Sequence, residues 1–365
     1  MGLARDQRPT REAVQPSRGV RLLSLPYLSS HLAVALMALV VIVIVAGGIG
    51  SVYIPPLDVL KIVVDKAPLL SLEHTWPESW NTIIWQIRFP RVILAVLVGG
   101  ALAISGATYQ GLFRNPIADP YLIGVASGAG LGATLLLVTE LPIYSHGLSL
   151  LPIAAFAGGL LAVSIAYSIA RQSGGLPLTT LILAGVAISS LASAAISLLI
   201  IRSDPDVRPV LAWLLGGFGG TQWRDVQIVL PYLVPGVVIM IAYARILNLF
   251  QVDEDEARQL GVNVERTKLI LIGAASLTTA AAVSVSGLIG FVGLIAPHAV
   301  RLIWRHDHRV LLPLSMMVGA GFLVLSDLVA RTIVSPSELP VGVVTAFCGG
   351  PFFLYLLRRR GGGAP

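Results

Sequence analysis

The stretch GALAISGATYQGLFRNPIADP, from Gly100 to Pro120, carries an uncharged helix of small and apolar residues directly into a turn containing Asn115-Pro116 and Asp119-Pro120. Glycine and alanine suit close helix packing in lipid, and proline interrupts a helix because it has no N–H to give. Working outward, this stretch closes the second of ten apolar runs, at about 32–50, 92–113, 121–139, 150–170, 178–201, 226–247, 268–286, 288–305, 311–333 and 340–357. Crossing about 30 Å of hydrocarbon takes about 20 residues of helix, a length that all but one of the runs reach comfortably.

Composition excludes the soluble alternative. With 55% hydrophobic and only 12% charged residues, a water-soluble fold would expose large apolar patches. Lipid offers no partner for backbone N–H and C=O groups, so spans form as helices or closed barrels, and runs of this length predict helices. The expectation is an all-α polytopic membrane protein of about ten transmembrane helices. A basic cytoplasmic tail covers 1–31, the ten-span domain 32–357 and a C-terminal cytoplasmic tail 358–365.

Charge sets the orientation. Arg5, Arg8, Arg11, Arg18 and Arg21 precede the first run, which lacks a cleavage site and therefore reads as a retained span. With both termini cytoplasmic, most of the 25 lysines and arginines fall inside, as the positive-inside rule requires. A sequence pI near 9.7 could suggest nucleic acid. The arginines are scattered over loops and tails instead of forming one patch, so a membrane protein at lipid surfaces, with no nucleic acid, is the expectation. The single cysteine, Cys348, lies in the last run and reads as a small core residue.

Ser105-Gly106 precedes Pro116 by the same spacing as Ser286-Gly287 precedes Pro297. Paired Gly/Pro-interrupted segments in two halves are the mark of a duplicated transporter fold. Three stretches do not span. Residues 55–85 suggest an external loop with an amphipathic helix whose apolar face is Leu57, Leu60, Ile62 and Val63. Residues 203–225 form a second external segment, and 248–267 the longest internal loop, with the acidic run Asp253-Glu-Asp-Glu256.

Nothing in the chain hydrolyses a nucleotide by itself. A phosphate-cradling loop needs Gly-Lys-Ser/Thr, and the three lysines, Lys61, Lys66 and Lys268, follow Leu60, Asp65 and Thr267. The chain either couples to an ion gradient or borrows an ATPase. Ion-coupled carriers place carboxylates inside the membrane, and the candidate here is Asp327, four residues before Arg331 and able to pair with it. No set of nucleophile, base and orienting group points to bond chemistry, and His298, His306 and His308 read as solvated interface residues, not metal ligands.

The ordered series Arg88-Phe-Pro-Arg91, Gly100–Pro120, Leu183-Ala-Gly185, Gly216-Gly-Phe-Gly-Gly220, Ala257-Arg-Gln-Leu-Gly261, GFVGLIAPH from Gly290 to His298, Asp307–Pro313 and ELPVGVVT from Glu338 to Thr345 resembles the FecCD-type permease family. That family supplies the membrane subunits of ABC importers for iron-siderophores, haem and cobalamin, and the resemblance covers about residues 85–357. It implies the type II ABC importer permease fold. It also implies a homodimer, two ATP-binding subunits and a periplasmic or lipid-anchored substrate-binding protein, with no cofactor and no metal held by the chain. Gly216–Gly220 looks closer to the cobalamin permeases.

The resemblance also assigns residues. Glu256, Ala257, Arg258, Leu260 and Gly261 match the coupling helix pressed into the ATPase; from the residues alone, an apolar side of Ala257 and Leu260 stopped by Gly261 fits a groove, and an ordinary solvated loop fits too. Arg88, Arg91 and Arg331 match arginines that receive glutamates of the binding protein, as forked guanidinium groups do well; snorkelling at a helix end is the plain alternative. Leu178, Thr179 and Thr180, at the inner end of the fifth run, match the cytoplasmic gate, although threonine hydroxyls there can equally bond their own helix carbonyls.

Overall fold

A computed structural model describes residues 25–66, 76–139, 144–145, 148–171, 175–202, 207–304 and 307–361. Its helices are α1 (Leu25–Gly48), α2 (Pro56–Asp65), α3 (Glu78–Thr82), a π-helical turn (Ile83–Arg88), α4 (Phe89–Leu112), α5 (Val125–Val138), α6 (Leu150–Ala170), α7 (Leu178–Arg202) and α8 (Arg208–Leu215). They continue as α9 (Trp223–Ala242), α10 (Ala244–Val252), α11 (Glu254–Gln259), α12 (Val264–Ser286), α13 (Val292–Ile303), α14 (His308–Thr332) and α15 (Val341–Gly361). One antiparallel pair, β1 (Tyr144–Ser145) and β2 (Leu148–Ser149), joins α5 to α6. The five N-terminal arginines, Gly174, Arg305, His306 and residues after 361 lie outside the described residues.

Each of the ten expected spans is a helix, and seven are long and apolar enough to cross a bilayer by themselves. Of the other three, α15 is apolar only over Val341–Leu356, while α5 has 14 residues and α13 has 12, so α13 rises only about 18 Å against about 30 Å of hydrocarbon. Composition marks such stretches as apolar but says nothing of where they break. The breaks fall at Gly124 (φ 89°), Gly287 (φ 68°) and Phe291 (φ 70°), and they meet one another inside the bundle. Gly217 N–H donates to the Ser286 carbonyl at 2.8 Å, and the Tyr121 hydroxyl donates to the Ile289 carbonyl at 2.8 Å. Irregular backbone is tolerated at membrane depth because protein groups satisfy it. The expected sixth span likewise ends early, at Ala242, with Tyr243 turning the chain into α10.

Helices α4, α12 and α14 bury most of their length and form the centre, while α1 and α7 leave theirs largely uncovered. Between apolar helices in lipid the hydrophobic effect gives no drive, so close van der Waals approach must hold them. The sequence provides it: a Cβ on Gly99 of α4 would strike the Gly319 carbonyl of α14, and one on Gly128 of α5 would strike the Gly158 carbonyl of α6.

Five sequence expectations change here. Helix α1 begins at Leu25, inside the expected tail. The buried face of α2 is Val59 and Ile62, packed with Ile84 and Phe89, whereas Leu57 and Leu60 point outward. The two Ser-Gly…Pro copies take different forms: Ser105-Gly106 is interior to α4 with Pro116 in the following turn, while Gly287 ends α12 and Pro297 lies inside α13. Cys348 is exposed on the single chain, not core, because α15 turns an apolar side outward. His308 is 2% exposed, not solvated, with its Nδ1 donating to Asn248 Oδ1 at 2.8 Å.

Candidate functional site

The chemistry-bearing residues gather at the two ends of the bundle. At one end, the π-helical turn shifts Arg88 inward, where it is only 4% exposed. Its guanidinium donates to the carbonyls of Gly47 and Gly48 at 2.9 Å and of Val52 at 2.5 Å. These are the orphan acceptors at the C-terminus of α1 and the loop after it, where a cation is favoured. Arg88 is therefore an internal brace in this conformation and not a side chain presented outward.

Arg91, one turn on, is shared between two acids. Its Nε and Nη2 donate to Asp327 at 2.9 and 2.8 Å, and its Nη1 donates to both oxygens of Glu338, at 3.0 and 2.8 Å. Asp327 is 1% exposed, and its other neighbour is Arg331, whose Nε lies 3.8 Å from Asp327 Oδ2. Arg331 Nη2 also donates to the Ala46 carbonyl. A buried carboxylate between two guanidinium groups offsets the cost of taking three charges out of water. Glu338 stands apart from this core, its side chain 48% exposed. Asp327 and Glu338 were absent from the expected docking set. Their signals were the i, i+4 spacing of Asp327 and Arg331 and the place of Glu338 at the head of ELPVGVVT.

At the opposite end, α11 is a single short helix with a complete C-terminal stop. Gly261 adopts φ 84°, its N–H donates to the Arg258 carbonyl at 2.9 Å, and Val262 N–H donates to the Ala257 carbonyl at 3.0 Å. That paired closure is the Schellman motif, which needs a left-handed residue and so favours glycine. Ala257 and Leu260 do not share a side as expected. Ala257 is fully buried against the chain's own core with Val264 and Leu271, and Leu260, just past the helix, is 69% exposed. The acids Glu254, Asp255 and Glu256 occupy the first turn, where the helix dipole favours negative charge.

Salt bridges fix the helix to its neighbours. Lys268 of α12, 5% exposed, reaches Glu254 at 2.8 Å and Glu265 at 3.7 Å. Arg258 reaches Asp255 at 3.0 Å and Glu265 at 3.8 Å. Glu265 Oε2 accepts the N–H of Leu176 at 2.8 Å, just before Leu178, Thr179 and Thr180 open α7. Thr179 is exposed, and Leu178 and Thr180 are half-buried. Asp307 caps α14 and accepts from Asn248 at 2.7 Å and from Arg309 at 2.7 Å. Burial raises its pKa, and the hydrogen bonds from Arg309 and Asn248 more than reverse this, bringing it down to about 2.

Between the two ends, the outward sides of α7 and α15 carry exposed apolar residues: Leu183, Leu191 and Leu198 on α7, Phe347 and Leu354 on α15. An open apolar hollow lies beside α15, lined by Leu214, Leu288, Gly342, Ala346 and Phe347. Among the described residues no three histidine, cysteine, aspartate or glutamate side chains come together as a metal site.

The chain is similar to known proteins. The profile of the FecCD transport family matches residues 37–359. The cobalamin import system permease BtuC of Halobacterium salinarum is 49% identical over 79% of this chain and 77% of its own length. The hemin transport system permease HmuU of Yersinia pestis is 42% identical over 80% of this chain and 89% of its own. A solved structure described as an inward-facing conformation of a metal-chelate type ABC transporter is 32% identical, covering 91% of this chain and 99% of its own with a TM-score of 0.78. With nearly the whole of its described length matched by one profile and its helices superposing on such a transporter, the chain belongs to the FecCD transport family.

Proposed function

We propose that this chain is the permease subunit of a binding-protein-dependent ABC importer for a large metal-centred chelate, cobalamin, haem or an iron-siderophore. Two copies pack along α7 and α15 and enclose the pathway. Two ATP-hydrolysing subunits seat on α11 from the cytoplasm, where both termini lie. The binding protein delivers substrate at the opposite end, near Arg91 and Arg331, with Arg88 holding the surface in shape. Leu178, Thr179 and Thr180 form the inner gate. The substrate class rests on the cobalamin and hemin permeases among the relatives. The dimer rests on the uncovered apolar sides of α7 and α15.

The observation that carries this reading is α11. A short helix held from behind by a buried lysine, closed by a left-handed glycine, and tipped by an exposed leucine is built to be pushed by another protein. The ion-gradient alternative loses its candidate, because Asp327 is bonded to Arg91 and flanked by Arg331. Leu260→Asp with Gly261→Pro puts a charge and a rigid ring where the tip must seat. The variant is expected to insert normally, to fail to copurify with the partner ATPase and to import nothing. Normal copurification and import by that variant would remove α11 from the interface.

A further inference from the structure

Glu265 touches both the proposed coupling helix and the segment entering the proposed gate. It sits in the first turn of α12. One oxygen, Oε1, faces Arg258 of α11 at 3.8 Å and Lys268 at 3.7 Å. The other, Oε2, accepts the backbone N–H of Leu176, a residue 89 positions away in sequence, at 2.8 Å. The chain there runs tight against the carboxylate: at Gly175 (φ 133°) an added Cβ would lie 3.0 Å from Oε1. Leu176 is itself buried, and Pro177 accepts the first hydrogen bond of α7 from Leu181 at 3.1 Å. A shift of Leu176 is thus a shift of the first turn of α7, which holds Leu178, Thr179 and Thr180.

We propose that Glu265 is the positioning residue that transmits movement of α11 to the inner end of α7, so that ATPase-driven displacement of the coupling helix moves the gate. The inference rests on the permease reading above. A contact needed only for adhesion could be apolar. This one is a half-exposed carboxylate whose bonds to Arg258 and Lys268 are of the kind that rearranges at low cost, while its bond to a backbone N–H holds the α7 segment directionally.

The test uses the complete complex of permease, ATPase and loaded binding protein in liposomes, in a Cys348→Ser chain also carrying Thr179→Cys. Uptake per ATP hydrolysed and ATP-dependent thiol labelling at position 179 are measured together. Glu265→Ala is expected to keep ATP hydrolysis but to lower uptake per ATP by at least ~5-fold, the low end of site-to-site coupling, and to abolish the ATP-dependent change in labelling. Glu265→Gln keeps the acceptor for Leu176 and is expected to restore part of the ratio; Arg258→Ala, which spares Glu265, is expected to lower it. The inference is overturned if uptake per ATP in all three variants stays equal to that of the unsubstituted complex, or if uptake and hydrolysis fall together in step with assembled complex. No ATP-driven uptake by the unsubstituted complex would remove the permease reading itself and the inference with it.

Discussion

The charge clusters at the two ends of the bundle use the same residue types for opposite purposes. At one end Asp327 holds Arg91 and Arg331 while Arg88 gives its donors to backbone carbonyls, so that three arginines with side chains nearly all out of water tie α1, the π-helical turn, α4 and α14 together. Around Glu265, the cluster ties α11, α12 and the entrance to α7, yet only Lys268 is buried. A buried ion-pair network is costly to open because each group it frees stays desolvated. An exposed one exchanges partners with water for little. The first arrangement is suited to fixing helices as a hub, the second to parts that move, as proposed for α11.

The sharpest way to break this contrast is at the hub. Asp327→Asn leaves Arg91 and Arg331 facing each other with the buried counter-charge gone, and is expected to cost about 3–5 kcal/mol. The check is thermal unfolding in detergent: near-normal melting would mean the hub does not hold the helices. A charge-reversing pair, Arg88→Glu with Arg91→Glu, breaks the hub from the other side. Here it is expected to misfold, because a carboxylate would face the carbonyls of Gly47, Gly48 and Val52. Insertion of a stable double variant would contradict the brace.

Gly261→Ala probes the α11 end. Forcing a Cβ into the left-handed conformation at φ 84° is expected to cost about 1 kcal/mol locally, with uptake reduced and the melting temperature of the spans almost unchanged. Glu338→Gln separates hub from rim. Because Glu338 is half exposed, stability should change by under about 1 kcal/mol. The freed Nη1 of Arg91 should bind the acidic partner more tightly, read as a lower Kd for the loaded binding protein.

The smallest expected effect concerns Asp307. Its pKa is held at about 2, below the ordinary 3.8, so its contribution to stability is complete above the ordinary value and is lost as pH falls through about 2. Asp307→Asn should therefore destabilise the protein at neutral pH and lose that difference as the medium is acidified. A difference that grew with acid would reverse the assignment.

The spans were readable because twenty uncharged residues have one fate in lipid; Arg91 and Arg331 lie together at one end of the bundle, and Leu260 and Gly261 lie at the other. Their partners were not readable. Arg88 meets its acceptors about forty residues away, and Arg91 meets Asp327 after 236, distances at which periodicity carries no signal. Sidedness failed for a related reason: Ala257 and Leu260 are both apolar, and only the turn at Gly261 decides that one faces in and the other out. The exposure of Cys348 and Phe347 was hidden because an apolar helix side looks alike whether it meets lipid, core or a second copy.

In the proposed function, substrate passes only when a loaded binding protein occupies the Arg91 end and an ATPase drives the α11 end. Purified chain in liposomes, with a proton or sodium gradient imposed, should take up neither cobalamin nor an iron chelate. Adding the partner ATPase, the loaded binding protein and ATP should start uptake. Accumulation by the chain alone, abolished by a protonophore, would contradict the account.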